Sequence, residues 1–92
     1  MEEDVESRVK RVVVDYIRNN IQYSIDNING TETWPDFGMD SLNLAEITLD
    51  LEDEFSEEKL SIPYDKMPKM KNIRDLITYI QANAMLSPPP KQ

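Results

Sequence analysis

Asp36-Phe37-Gly38-Met39-Asp40-Ser41-Leu42-Asn43-Leu44-Ala45-Glu46-Ile47-Thr48-Leu49-Asp50-Leu51-Glu52-Asp53-Glu54-Phe55 is the stretch on which the reading of the whole chain turns. A glycine-containing loop hands over to an acidic amphipathic helix, with a serine at the hand-over. Asp40 and Ser41 are both able to cap that helix, because a short side-chain oxygen accepts from the unpaired amides of a first turn. Behind the cap, Leu44, Ile47, Leu51 and Phe55 recur at intervals of three and four and define one buried face. Glu46, Asp50, Asp53 and Glu57 recur the same way on another face. Leu42, Ala45 and Leu49 fall off the core stripe, on the side of Ser41. A hydroxyl at a helix start is also a favourable place for a phosphate, beside free N–H groups and the positive end of the helix dipole.

Working outward, the segment from Glu2 to Ile17 reads as a helix, with Val5, Val9, Val12, Val13, Tyr16 and Ile17 on one stripe. The β-branched run Val12-Val13-Val14 favours strand locally, but the length and period of the stripe favour helix. From Arg18 to Phe37 the turn formers Asn19-Asn20, Asp26-Asn27 and Asn29-Gly30 make a long loop, and Trp34-Pro35 implies an extended step. Ile21, Ile25 and Ile28 are expected to peg this loop to the bundle, with Trp34 over an edge of the core. Tyr64 to Lys69 reads as a short third helix. Pro68 limits it to about one turn, of α or 3₁₀ type. Asn72 is placed to cap a last helix carrying Ile73, Leu76, Ile77, Ile80 and Ala84. Ser87-Pro88-Pro89-Pro90-Lys91-Gln92 cannot be helical and is expected to be a disordered tail. The expectation is therefore all-α: a small up-and-down four-helix bundle of three main helices and one short one, with a long first loop, over residues 1–86.

Composition narrows the chemistry. The 92 residues contain no cysteine and no histidine, which removes disulfides, the usual zinc ligands and any histidine-activated nucleophile. A serine needs an adjacent base to attack, so Ser41 is expected to be a substrate of another enzyme and the chain itself no enzyme. Eighteen acidic against ten basic side chains leave a formal charge of -8. That charge repels nucleic acid and anionic membranes and favours basic protein partners. No apolar run reaches membrane-spanning length and the acidic Met1-Glu2-Glu3-Asp4 is unlike a signal peptide, so a soluble, cytoplasmic monomer is expected. Two short matches are rejected. Asp26-Asn27-Ile28-Asn29-Gly30 would put Ile25 at the first ligand position of a calcium loop. Asp36-Phe37-Gly38 spells a kinase motif in a chain too short for a kinase.

The segment Gly38-Met39-Asp40-Ser41-Leu42, followed by Glu46, Leu51, Glu52-Asp53-Glu54 and Phe55, resembles the acyl carrier proteins, whose signature is Asp-Ser-Leu at the start of an acidic second helix. Ser7-Arg8-Val9-Lys10-Arg11-Val12-Val13 is similar to their first helix, and from Pro63 the spacing through Met70, Ile73, Ile77, Tyr79 and Ile80 follows theirs. Ser56 to Ile62 looks like a small insertion, Asn43 stands where many members have an acid, and Lys66, Lys69 and Lys71 are unusually basic. The resemblance implies 4′-phosphopantetheine attached to Ser41 by a phosphopantetheinyl transferase using coenzyme A and magnesium, with Asp40 helping to position the metal. It also implies docking by Glu46, Glu52 and Asp53, with Asn43 at a further contact position, onto basic patches of acyl-transferring and condensing enzymes. Leu42, Ala45 and Leu49, grouped beside Ser41, are expected to supply the apolar centre of that contact. The acyl chain is expected to slide between helices, against Leu44, Ile47, Leu51, Ile73, Leu76 and Ile77. A free-standing carrier for fatty-acid or polyketide assembly is the leading expectation. The single glycine before Met39 weighs against an aminoacyl or peptidyl carrier of a non-ribosomal pathway. The third reading is an interaction domain that has lost its arm.

Overall fold

The computed structural model describes residues 4–21, 28–63 and 65–84. Within the described residues, three α-helices, α1 (Val5–Asn20), α2 (Ser41–Glu54) and α3 (Ile73–Asn83), pack around one core, with 3₁₀ turns at Trp34–Phe37 and Met67–Lys69. Among the described residues there is no strand, only an isolated bridge between Thr33 and Asn72. The all-α bundle expected from the periodicity is the one observed. The expected tail at 87–92 lies outside the described residues, as do Ile25 and Tyr64.

Helix α1 starts where Asp4 accepts from the Ser7 amide at 2.8 Å and runs three residues past the expected Ile17. Its extra turn is closed by the Asn20 side chain, which donates to the Tyr16 carbonyl at 3.1 Å. Val9, Val12, Val13, Tyr16 and Ile17 are all buried, so tertiary packing overrides the strand preference of the valine run. They meet Ile47 and Leu51 from α2, Phe55 at its C-terminal cap, and Ile73, Leu76, Ile77 and Ile80 from α3.

The first loop is not extended at Trp34-Pro35. Thr33 and Asp36 bond reciprocally and Pro35 supplies a ready-made φ, so the four residues close a 3₁₀ turn. Gly38, at φ 76°, then takes the left-handed cap that a side chain would resist. Trp34 is buried and donates from Nε1 to the Met70 carbonyl at 2.8 Å, and Ile28 is buried as a peg. Ile21 is half-buried against the same core. The loop also completes the start of α3. The Arg74 amide donates to the Gly30 carbonyl at 2.7 Å, the Ile73 amide to Glu32 at 3.4 Å, and the Asp75 amide to the Asn72 side chain at 2.9 Å.

The segment after α2 is no loose insertion. Leu60 and Ile62 are buried, and the Leu60 amide reaches back to the Phe55 carbonyl at 3.3 Å. Arg8 of α1 clamps the junction. It donates to the Glu54 carboxylate at 2.9 Å, to the Glu54 carbonyl at 2.8 Å and to Glu58 at 3.1 Å, while lying 4.1 Å from the Phe55 ring centroid.

Candidate functional site: the head of the second helix

Ser41 is the first residue of α2 and is exposed. Asp40 caps the helix: its Oδ1 accepts from the Asn43 amide at 2.9 Å, while the Asn43 Oδ1 accepts from the Asp40 amide at 3.0 Å. This reciprocal box fixes where the helix begins and so where the serine hydroxyl stands. The Leu44 amide is taken by the Asp40 carbonyl at 3.0 Å. The amides of Ser41 and Leu42 are left without a partner among the described residues, as donors beside the hydroxyl.

A cavity of about 410 Å³ opens directly from Ser41. Its wall is Leu44, Ala45, Thr48, Leu49 and Glu52 of α2, Ile62 of the linker, and Met67 and Pro68 of the second 3₁₀ turn. This is a different side of α2 from the expected one. Of the six residues anticipated as a lining, only Leu44, half-buried, borders the cavity. Ile47, Leu51, Ile73, Leu76 and Ile77 are closed into the core. The row Ser41, Leu44/Ala45, Thr48, Glu52 is itself helical spacing, so the signal for Thr48 and Glu52 was present in the sequence. Ile62, Met67 and Pro68 come from a segment whose position depends on tertiary packing.

The six residues anticipated for docking separate into two groups. Leu42 and Leu49 are about two-thirds exposed and, with the exposed Ala45, form an apolar strip along α2. Asp53 is exposed beside it, and Glu46 is exposed while accepting from the Tyr16 hydroxyl. Asn43 and Glu52 are held inward. Asn43 donates to the Tyr16 hydroxyl at 3.0 Å, besides its capping role. Glu52 accepts from the Ile62 amide at 2.8 Å. Burial, then the neighbouring Glu46, pushes the Tyr16 hydroxyl above its usual pKa. Asp50, not anticipated as a site residue, is raised by partial burial and by repulsion from Asp53 and Glu46. The acids of α2 thus make a concentrated negative field on one flank of the strip. On the other side of the cavity, Lys66 and Lys69 flank Met67-Pro68 and are exposed. No group of acidic side chains among the described residues is arranged to hold a metal ion.

A family model described as a phosphopantetheine attachment site matches residues 11–80, from within α1 through the whole of α2 to Ile80 of α3. The chain is also similar to an acyl carrier protein of Lactobacillus acidophilus, 35% identical over 83 residues that cover 89% of this chain and 95% of that protein. The bundle with its serine-headed acidic helix is therefore a phosphopantetheine-dependent carrier domain. The chain belongs to the acyl carrier protein family, whose prosthetic group is 4′-phosphopantetheine. Members of that family work with a phosphopantetheinyl transferase and with biosynthetic enzymes.

Ser41 fits that group on its own geometry. The hydroxyl is exposed, the two unpartnered amides of the first turn are donors suited to a phosphodiester, and an apolar cavity begins at the same residue.

Proposed function

We propose that this chain carries acyl groups for fatty-acid or polyketide assembly in the cytoplasm, as a monomer, on a phosphopantetheine arm joined to Ser41 Oγ. The observation that carries the reading is the coincidence at one residue of an exposed hydroxyl, a capped helix start and the mouth of an apolar cavity. The arm supplies a thiol that holds the acyl group as a thioester. The chain's own residues position and shelter, and the sequence has no histidine, the commonest base for activating a serine. The base that takes the Ser41 proton during attachment belongs to the transferase. Asp40 spends Oδ1 on the cap. Its Oδ2 has no bond among the described residues and is available to the transferase's magnesium.

Docking uses Leu42, Ala45 and Leu49 as an apolar centre, with Glu46, Asp50 and Asp53 as its acidic rim, against a basic patch on each enzyme. Complementary charge there speeds encounter and fixes orientation. The acyl chain enters the cavity of α2, Ile62 and Met67-Pro68, where each sheltered methylene gains about 0.8 kcal/mol. Thermal stability should therefore rise from the holo to the acylated form.

The experiment is an intact-protein mass spectrum after incubation with a phosphopantetheinyl transferase, coenzyme A and magnesium. One phosphopantetheine should be added to the wild type and none to Ser41→Ala, which should keep its helix content. An adduct on Ser7, Ser56 or Ser61, or on the Ser41→Ala protein, would refute the assignment.

A further inference from the structure

Three of the nine residues around the cavity, Ser41, Thr48 and Glu52, carry polar side-chain atoms, and none of the three offers a proton to a loaded chain. Thr48 gives its single hydroxyl proton to the Leu44 carbonyl at 2.6 Å, leaving only lone pairs on Oγ1. Glu52, when ionised, has no proton to give; one of its oxygens accepts from Ile62 and the other has no partner among the described residues. Ser41, once esterified, has lost its own. Of the backbone amides along the wall, those of α2 from Leu44 onward are in the helical ladder, the Ile62 amide is bonded to Glu52 and Pro68 has none, while the Ser41 amide stands at the mouth beside the phosphate of the arm. At 1.5 Å per residue, Thr48 and Glu52 stand about 10 Å and about 16 Å along the helix from Ser41. Among the described residues, the polar side-chain atoms lining the cavity are therefore acceptors, and the further one belongs to a carboxylate.

We propose that this cavity selects acyl groups that carry a hydrogen-bond donor on the chain, a hydroxyl or an ammonium, and turns away chains that end in a carboxylate. Glu52 is the specificity-determining residue. A donor on the cargo satisfies an acceptor that a plain hydrocarbon would strip of water and leave unpaired, and sites built to pair a polar group discriminate more sharply than apolar ones. A terminal carboxylate brings like charge beside Glu52 and meets no side-chain donor among the described lining residues, Lys66 and Lys69 standing outside the wall. The inference rests on Ser41 carrying the loaded arm. It makes Glu52 a cargo-facing group rather than a docking acid.

The test uses the full chain, loaded at Ser41 by a transferase from coenzyme A thioesters with four chains of equal length: octanoyl, 8-hydroxyoctanoyl, 8-aminooctanoyl and 7-carboxyheptanoyl. The readouts are the amide shifts of Ala45, Thr48, Leu49 and Ile62 and the thermal midpoint relative to the holo form. The hydroxy and amino chains should move these amides and raise the midpoint more than octanoyl, and the carboxy chain should do neither. Glu52→Gln keeps an oxygen for the Ile62 amide but removes the charge and adds a donor, so the amino chain should lose its advantage and the carboxy chain should enter. Thr48→Val, which leaves the Ile62 bond untouched, should lower only the preference for the hydroxy chain. The midpoint and amide dispersion of each unloaded variant establish that it is folded. Octanoyl entering as well as the hydroxy and amino chains, or the same order in Glu52→Gln as in wild type, would overturn the selectivity while leaving the sheltering cavity intact. Loading with no shift at these amides for any chain would overturn both. Failure to load at all would strike at Ser41 itself.

Discussion

Arg8→Met removes the guanidinium that joins α1 to the end of α2 while keeping an unbranched stem over Phe55. Arg8 is about four-fifths buried and holds two carboxylates, the last-turn carbonyl of Glu54 and an aromatic face at once. Ion pairs near a surface contribute up to about 1 kcal/mol each. The bond to the helix-terminal carbonyl adds about 1 kcal/mol, and the stacking about 0.5 kcal/mol. With partial solvent screening of both pairs, the loss should be about 2–3 kcal/mol, or roughly 10–20 °C in the thermal midpoint of a domain this size. Circular dichroism melts and urea titrations at neutral pH measure it directly. The same variant should change the acid limb of stability. Arg8 holds the Glu58 carboxyl below its ordinary range. In Glu54, partial burial raises the carboxyl, and Arg11 and Arg8 together more than reverse it. A carboxyl depressed in the folded state contributes stability that is complete above its unfolded pKa and is lost as the pH falls through its folded value. Without Arg8 that loss on acidification should be shallower. A destabilisation below about 0.5 kcal/mol, the ordinary range for an exposed surface substitution, with an unchanged acid limb would refute the clamp.

Three further substitutions probe the same frame. Asp50 is raised by partial burial and by Asp53 and Glu46, so its contribution has the opposite sign, present at low pH and lost as the pH rises through the raised value. Asp50→Asn should accordingly stabilise the protein at neutral pH by a few tenths of a kcal/mol, and the part of the gain owed to repulsion from Asp53 and Glu46 should fade in high salt, as melts at two ionic strengths would show. Lys59 sits at φ 56°, a left-handed position after the turn that follows α2. Lys59→Gly should raise the urea midpoint by the equivalent of up to about 1 kcal/mol, since the relief of strain exceeds the entropy glycine adds to the unfolded chain. Trp34→Phe leaves the Met70 carbonyl without its donor and should cost about 2 kcal/mol, measured by denaturant titration, with α2 amide shifts unchanged.

The helices were legible because each writes a local pattern. Val9-Val12-Val13-Tyr16-Ile17, Ile47-Leu51-Phe55 and Ile73-Leu76-Ile77-Ile80 fall on stripes that periodicity alone exposes, and all of them are buried. Asp40 and Asn72 were legible as caps for the same reason, since a cap acts on amides two or three residues ahead. The absence of histidine and cysteine likewise bears on chemistry without any structure. What sequence could not carry was anything joining residues far apart in the chain. The 3₁₀ turn at Trp34–Phe37 is held by burial of Trp34 and its bond to Met70, thirty-six residues away. The segment after α2 looks like an insertion in one dimension, yet Arg8, fifty residues from Glu58, makes it part of the bundle. The cavity depends most on such contacts. A stripe of apolar residues shows which face of a helix avoids water, but not whether a neighbour closes against it or stands off and leaves space. Tertiary packing decided that Ile47 and Leu51 meet the core, while Thr48 and Glu52, one position round the helix, face Ile62, Met67 and Pro68 across a gap.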